Sequence, residues 1–286
     1  MNDSHWLRGG HRKLVNALLF ESPVETVRTL TAASSPHTAP PSILEVVRHH
    51  FSFDPDAMQE QVLLRGGKRL LLCCTRQWGK STTAAALAAY RALTDPESLI
   101  LAVSPTLRQT GELITKVRQF LEKAGCVLQG GQLSFQIGNG ARVLGLPGKG
   151  SHVRGFSAPS LIVIDEAAQV EDLLYKSIRP MLAAGDGDLA LLSTPFGERG
   201  FFWKEWAKGP EDWTRIEVKA TDCPRIRPEF LAVERRVQGE EWFAQEYLCS
   251  FIGMENQAYR TEWLARAKAE GLRYRELDFQ LKGRLR

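Results

Sequence analysis

The sequence contains no apolar run that approaches the roughly 18 residues of a membrane-spanning helix. Its first residues, MNDSHWLRGGHRK, include no apolar segment of the kind that a secretory signal needs, and we expect no such signal. Cysteines are few: there are five, an odd number, and none shows the CxxC spacing of a zinc site. These absences argue against a membrane span, a disulfide scaffold and a zinc scaffold, and they predict a reducing cytoplasmic setting.

The composition is that of a globular protein, with 43% hydrophobic and 24% charged residues. A length of 286 residues is enough for one or two domains with a sizeable core. The net charge of +4 is concentrated in residues 259–286, which hold eight basic and four acidic side chains. A basic segment of this kind suits nucleic-acid phosphates, but a solvated helix with charged faces explains it equally well.

The apolar pattern predicts an α/β fold. Short apolar runs suit strands, and they occupy positions 70–74, 99–103, 133–137, 141–146, 161–164 and 189–192. Helical patterns separate several of them, including residues 106–124 and 173–182, and Asn139-Gly140 marks a turn between two strands. Uninterrupted apolar strands spaced by helices indicate a mainly parallel sheet that is covered on both faces.

Changes in composition divide the chain. Residues 31–42 are rich in Pro, Ser, Thr and Ala, so we expect residues 1–50 to form an N-terminal helix and a linker. Residues 51–213 carry the α/β pattern. Past Thr214 the pattern becomes mainly helical, at residues 228–237, 240–251 and 261–270. We therefore expect a small helical subdomain over residues 214–255 and a basic tail over residues 256–286.

A candidate phosphate site lies between the first predicted strand and the helix after it. Gly79, Lys80 and Ser81 form the end of a GxxxxGK[ST] motif, although Cys74 stands where the first Gly would be. Such a loop surrounds phosphates with backbone N–H groups, its Lys reaches the terminal phosphates, and its hydroxyl binds Mg²⁺. A bare Gly-Lys-Ser also occurs in surface turns, but the strand before it and the helix after it favour a phosphate loop.

A second motif follows about 85 residues later, where four apolar residues lead into Asp165 and Glu166. A buried strand that ends in two acids delivers carboxylates to the edge of an α/β sheet where ligands bind. Asp165 can hold Mg²⁺, and Glu166 can orient and deprotonate an attacking water. An acid that caps the next helix is the simpler explanation of this motif alone. Together the two motifs predict a nucleoside triphosphatase.

Three further features suit the same chemistry. Arg76, within the P-loop, and Arg154, in a Gly-flanked loop, are candidates to offset charge on the γ-phosphate, in cis and from a neighbouring subunit respectively. Either can equally be an ordinary solvated arginine. Ser193 and Thr194 follow an apolar strand and can sense the γ-phosphate, although without further context a simple strand-ending turn is the better explanation of them.

Residues 50–252 resemble the ATPase half of the large terminase subunit, the motor that packages DNA in tailed bacteriophages. The matching stretches are Pro55-Asp56-Ala57-Met58-Gln59, Thr75-Arg76-Gln77-Trp78-Gly79-Lys80-Ser81-Thr82, Val153-Arg154-Gly155-Phe156, Ile164-Asp165-Glu166-Ala167-Ala168, Leu192-Ser193-Thr194-Pro195-Phe196-Gly197, Cys223-Pro224-Arg225-Ile226 and Phe243-Ala244-Gln245-Glu246-Tyr247. The missing first Gly and the Arg-Gln pair are typical of this family. The resemblance implies a RecA-like (ASCE) P-loop ATPase fold over residues 51–213, with residues 214–255 as the lid.

The resemblance also implies a role for each matching residue. Gln59 would contact adenine. The ATP-binding residues would be Gln59, Arg76, Gln77, Trp78, Gly79, Lys80, Ser81 and Thr82. Ser81 and Asp165 would hold Mg²⁺, and Glu166 would be the catalytic acid. Lys80 would assist Glu166, with Arg76 and Arg154 as the cis and trans arginine fingers. Ser193 and Thr194 would couple hydrolysis to movement.

At the level of the whole protein, the resemblance implies a homo-oligomeric ring on the portal protein of a procapsid in the bacterial cytoplasm. The ring would drive double-stranded DNA inward together with a small terminase subunit, and no membrane is involved. Relatives continue into a nuclease that needs clustered carboxylates for two metals. Only 35 residues follow Phe251, so we expect ATP hydrolysis without DNA cleavage.

Two other functions remain open on the sequence alone. A helicase-like ATPase shares these motifs, but it usually carries a second RecA-like domain, for which residues 215–286 are too few. A non-hydrolysing assembly or regulatory protein descended from a motor is the other, and the intact Lys80, Asp165 and Glu166 argue against it.

Overall fold

The computed structural model describes residues 40–148 and 155–253. The helices there are α1 Ile43–His49, α2 Ala57–Arg65, α3 Lys80–Thr94, α4 Leu107–Lys123, α5 Asp172–Ile178, α6 Gly200–Lys208, α7 Pro228–Gln238 and α8 Glu240–Tyr247. The strands are β1 Arg69–Cys74, β2 Leu99–Ser104, β3 Leu128–Gly130, β4 Ser134–Ile137, β5 Arg142–Pro147, β6 Leu161–Asp165, β7 Asp188–Ser193 and β8 Thr214–Val218. Short 3₁₀ turns follow β6, α5 and β8.

All eight strands belong to one sheet, in the order β3-β4-β5-β2-β6-β7-β1-β8. The strands from β5 to β8 in this order run parallel, and only the β3-β4 and β4-β5 pairs are antiparallel. The carboxyl ends of β1, β6 and β7 therefore lie side by side at one edge of the sheet. The predicted mainly parallel sheet is confirmed.

The central strands are apolar throughout because both of their faces are covered. Along β1, Leu70 and Leu72 pack on one face with α3 and α4, whereas Leu71 and Cys73 pack on the other with α5 and α6. The same alternation divides β2 and β6 between the two cores. A run such as LLLCC thus supplies both hydrophobic layers at once, and this burial fixes the register of β1.

Several boundaries differ from the sequence expectation. The helix expected over residues 173–182 changes to a 3₁₀ turn at Arg179, next to Pro180, whose ring cannot continue an α-helix. The helix expected over residues 240–251 ends at Tyr247, and Cys249 has a left-handed backbone. The strand β8 was not predicted, and it pairs with β1 inside the range that we expected to form the lid. The domain boundaries remain a prediction.

The helices α7 and α8, which lie in the range predicted to form the lid and are called the lid helices below, are less buried than the sheet. The helix α7 has no buried residue, and Val237 on it is 75% exposed. The helix α8 buries Phe243 and Tyr247 in a small cluster with Ala220. Residues 1–39 of the predicted N-terminal segment, the predicted helix over residues 261–270 and the basic tail over residues 256–286 lie outside the described residues. No helix within residues 40–148 and 155–253 is long and apolar enough to cross a membrane.

Candidate nucleotide site

The P-loop, residues 75–81, connects the buried end of β1 to the start of α3. Gly79 has a left-handed backbone with a φ of 100°, and a Cβ atom there would lie 2.8 Å from Nε2 of Gln59. This position therefore requires glycine for two independent reasons. Cys74, which replaces the first Gly of the usual motif, is the last residue of β1 and is fully buried.

The side chains of Gln59 and Arg225 brace the P-loop by binding to the backbone of Trp78. Trp78 is fully buried, so only its backbone can face a nucleotide. Its carbonyl accepts a hydrogen bond from Nε2 of Gln59 at 3.3 Å and another from the Arg225 guanidinium. Arg225 also pairs with Asp56 at 2.9 Å. The P-loop is thus held by α2 and by the segment that leads into the lid.

Gln59, the predicted adenine contact, has both ends of its amide engaged. Its Oε1 accepts a hydrogen bond from the backbone N–H of Asp56 at 2.9 Å, and its Nε2 donates to the Trp78 carbonyl. The backbone N–H of Gln59 in turn donates to the Asp56 carboxylate, which closes a capping box at the start of α2. The side chain is 2% exposed. Because the residue is so deeply buried, an adenine contact would require it to become uncovered, and Gln59 acts here as a brace for the P-loop.

The P-loop lysine lies between the carboxylates of Asp165, the last residue of β6, and Glu166, the next residue. The Nζ atom of Lys80 donates to Oδ1 of Asp165 at 2.6 Å and to Oε1 of Glu166 at 2.8 Å. The Ser81 hydroxyl donates to Oδ2 of Asp165, also at 2.6 Å. The fold therefore brings together the four side chains that the sequence singled out for phosphate, metal and water.

The charges of this cluster do not cancel, because one ammonium group meets two carboxylates. Burial by itself disfavours the charged form of Lys80, but Asp165 and Glu166 more than reverse this, so the pKa of Lys80 lies well above its usual range. The lysine stays protonated at any physiological pH. An excess negative charge remains, and an added cation would offset it.

The backbone around the second acid is strained. Glu166 has a φ of 52° and a ψ of 42°, a left-handed conformation that is uncommon for residues other than glycine. Its N–H donates to Oδ1 of Asp165 at 3.0 Å. Such strain persists where the surrounding structure enforces it, and it clusters at functional sites. Here it turns the Glu166 carboxylate back toward Lys80.

Arg76 belongs to the P-loop and pairs with Glu246 of the lid helix α8. The Arg76 side chain is 60% exposed, whereas that of Glu246 is 6% exposed. Burial raises the pKa of Glu246, and the nearby Arg76 and a hydrogen bond from the Gln245 side chain only partly offset this. The carbonyl of Glu246 also accepts from the hydroxyl of Thr75 at 3.2 Å.

The predicted coupling residues lie next to the acid-bearing strand. The Ser193 hydroxyl accepts from the N–H of Ala168 at 3.1 Å and donates to the carbonyl of Thr194 at 2.7 Å. Both Ser193 and Thr194 are buried. The two residues therefore lie at the same sheet edge as Asp165 and Glu166.

The remaining predicted residues have separate positions. Gln77 is exposed, and the Thr82 hydroxyl accepts weakly from Lys116 at 3.4 Å. Arg154 lies outside the described residues. Sequence reasoning assigned no role to Gln245, Glu246 or Arg225, although the stretches that contain them match the family. Only the capping pattern from Asp56 to Gln59 offered a local signal, because the other contacts join residues far apart in sequence.

Solved structures with the same fold include terminase ATPase domains and large terminases. The large terminase ATPase domain of Thermus phage P74-26 has a TM-score of 0.64 at 20% identity, covering 73% of this chain and 97% of that chain. The large terminase of bacteriophage HK97 has a TM-score of 0.60 at 14% identity, covering 73% of this chain and 55% of that chain. At these identities the likeness concerns the fold alone, and it confirms the predicted RecA-like class.

The sequence comparisons agree. The large terminase subunit of Thermus virus P23-45 is 24% identical over an alignment 245 residues long, and this alignment covers 72% of this chain and 50% of that protein. The chain thus spans about half the length of the curated relatives it matches. The family model described as "Terminase large subunit, T4likevirus-type, N-terminal" matches residues 72–266. This match covers more than half of the chain, which therefore belongs to the family of terminase large subunits of the T4-like type.

Proposed function

We propose that this chain is the ATP-hydrolysing motor domain of a DNA-packaging terminase. The observation that supports this best is the position of Lys80 between Asp165 and Glu166, next to the Ser81 hydroxyl. A phosphate-binding lysine, a metal-binding pair and a water-activating carboxylate then lie within one hydrogen-bonded cluster. Membership of the terminase family agrees with this chemistry.

Nucleotide binding begins with the P-loop. The N-terminal end of α3 directs its free N–H groups and its positive dipole toward an anion at Gly79 and Lys80. Lys80 must then exchange carboxylate partners for phosphate oxygens. The large terminase of a thermophilic bacteriophage has been solved in complex with ADP and with ATP-γ-S, and we extend nucleotide binding to this chain.

The donor atoms of the site fit a magnesium ion. Mg²⁺ prefers hard oxygen ligands, and the Ser81 hydroxyl and the Asp165 carboxylate lie 2.6 Å apart. When bound with ATP, the ion would offset phosphate charge. Ser81 and Asp165 would hold it, and Asp165 would keep its hydrogen bond to the Glu166 backbone. The surplus negative charge of the cluster makes ATP without a cation a poor ligand.

Glu166 is the group that distinguishes hydrolysis from simple binding. Once Lys80 binds phosphate oxygens instead, the Glu166 carboxylate is released to accept a proton from an attacking water. Lys80 and Arg76 then offset the charge that develops on the γ-phosphate. Arg154 of a neighbouring subunit would provide a second positive charge at the γ-phosphate.

The partners that we propose follow from the family. They are double-stranded DNA, the portal protein of a procapsid and a small terminase subunit, with the chain assembled as a ring in the host cell. Ser193 and Thr194 would link hydrolysis to movement of the lid. Ser193 contacts Ala168, just after the acids of β6, and the loop that follows Thr194 contacts α8 through Gly197.

Steady-state ATP hydrolysis with Mg²⁺, measured with and without double-stranded DNA, tests this proposal. The parent chain is compared with Glu166→Gln. The variant keeps the size of the side chain and its acceptor for Lys80 but removes the base, so we expect unchanged ATP binding and a turnover lower by about 10² to 10⁴. DNA stimulation in the parent chain would support the motor role. ATP binding without turnover in the parent would instead favour a non-hydrolysing assembly protein.

A further inference from the structure

The lid helix α8 contacts the nucleotide edge of the sheet through two adjacent residues. Glu246 pairs with Arg76 of the P-loop. Gln245, its neighbour, contacts a different segment, the loop of residues 194–199 that follows β7. We name this segment the coupling loop because it begins at Thr194. One turn of one helix thus touches both the P-loop and the coupling loop.

Gln245 is a buried polar side chain with a defined partner. It is 7% exposed, and its Oε1 accepts the backbone N–H of Gly197 at 3.0 Å. A buried amide of this kind is costly to leave unpaired, so the coupling loop and α8 gain stability by moving together.

The coupling loop in turn leads back to the catalytic acids. Its first residue follows Ser193, whose hydroxyl accepts the N–H of Ala168, two residues after Glu166. At its other end, the N–H of Glu198 donates to the carbonyl of Ile252 at 3.2 Å, beyond α8. The contacts therefore run from Glu166 through the coupling loop to α8, and from α8 to Arg76.

Open space lies next to this connection. A cavity of about 520 Å³ separates the coupling loop from the lid, with Phe196 on one side and Gln238 and Trp242 on the other. Gln245 lies at its edge. A shift of α8 toward this cavity meets open space, and its packed contacts are limited to the small cluster of Phe243 and Tyr247 with Ala220, whereas the helices on the sheet pack on a large core.

We propose that Gln245 is the positioning residue that transmits a change at the phosphate site from the coupling loop to α8. This inference rests on the proposed function, because it requires a bound nucleotide that disturbs the cluster of Lys80 and Glu166. Nucleotide binding shifts the coupling loop, and the bond from Gly197 to Gln245 carries α8 with it. Without that bond α8 no longer follows the loop.

Amide hydrogen exchange on the 286-residue chain tests this, with and without ATP-γ-S and Mg²⁺. In the parent chain we expect nucleotide to change exchange in α8 as well as in the P-loop. Gln245→Met keeps the volume of the side chain but removes the acceptor. We expect it to retain the P-loop response and to lose most of the α8 response. A role in folding alone would alter exchange equally with and without nucleotide.

Two variants complete the experiment. Gln238→Met is the control. It also removes an amide that lines the cavity, but this amide donates to Glu234 and not to the coupling loop, so we expect the variant to behave like the parent. Gln245→Glu restores an acceptor in either protonation state, and we expect it to recover the α8 response. A full α8 response in Gln245→Met, or a response absent from a parent chain that binds nucleotide, would overturn this inference alone. A parent chain that binds no nucleotide would overturn the proposed function as well.

Discussion

The nucleotide edge of the sheet and the lid differ in how their residues are held. At the edge, Lys80 and Asp165 are 8% and 5% exposed, and both have close polar partners. In the lid, α7 buries no residue, and α8 is held by the small apolar cluster of Phe243 and Tyr247 and by the polar contacts of Gln245 and Glu246 with two loops. Chemistry that depends on precise distances is thus placed on the rigid part of the molecule.

The difference has a physical cause. Parallel strands that are buried on both faces cannot move without breaking ladder bonds and packing, so the ends of β1, β6 and β7 hold their side chains in place. Polar contacts between a helix and a loop can exchange partners with water or a ligand at a much smaller cost. The lid is therefore the part that can respond when a nucleotide enters.

Loss of the P-loop lysine should have the largest effect. In Lys80→Ala, Asp165 and Glu166 face each other without a cation, and ATP loses its main phosphate contact. We expect turnover to fall by at least about a hundredfold and ATP affinity to fall with it, as measured by hydrolysis and by calorimetric titration. Lys116→Ala, which removes a lysine from the neighbouring helix α4, is the matched control. Near-normal ATP affinity in Lys80→Ala would count against the site.

Removing apolar volume should separate the two regions by stability. Val163 in β6 is fully buried, and its change to Ala removes two methyl groups from a packed core, which we expect to cost about 2–3 kcal/mol. Val237→Ala in α7 removes the same atoms from a residue that is 75% exposed, and we expect a change within about 0.5 kcal/mol. Chemical denaturation measures both. Equal losses would mean that α7 is packed more firmly than the structure shows.

The contact between the two regions should give a smaller effect on nucleotide binding. In Glu246→Gln, Arg76 loses its carboxylate partner and becomes available to phosphate. Since the arginine is largely exposed, we expect ATP to bind a few-fold more tightly, in line with about 1 kcal/mol for such a pair. Glu241→Gln, an exposed position of the same helix, provides the control for titrations of ATP. Weaker binding in Glu246→Gln would show that Glu246 holds Arg76 in its binding position.

Much of the fold could be predicted because its signals are local. The run of apolar residues before Cys74, and that before Asp165, predicted buried parallel strands, and the carboxyl ends of these strands meet at one edge. The strand β8 escaped prediction because its sequence TRIEV alternates weakly, and its position beside β1 depends on a partner about 145 residues earlier. The end of α8 at Tyr247 was also missed, since apolar residues continue past it.

The sequence by itself singled out the side chains to which we assign the chemistry. Lys80, Ser81, Asp165 and Glu166 are recognisable because each must follow an apolar strand or begin a helix, and such patterns are read locally. Only the tertiary structure decided that Lys80 bridges both acids, that Gln59 braces Trp78, and that Gln245 and Glu246 connect the lid to two different loops. These contacts join residues that lie far apart in the chain, and their geometry exists only after the sheet has packed.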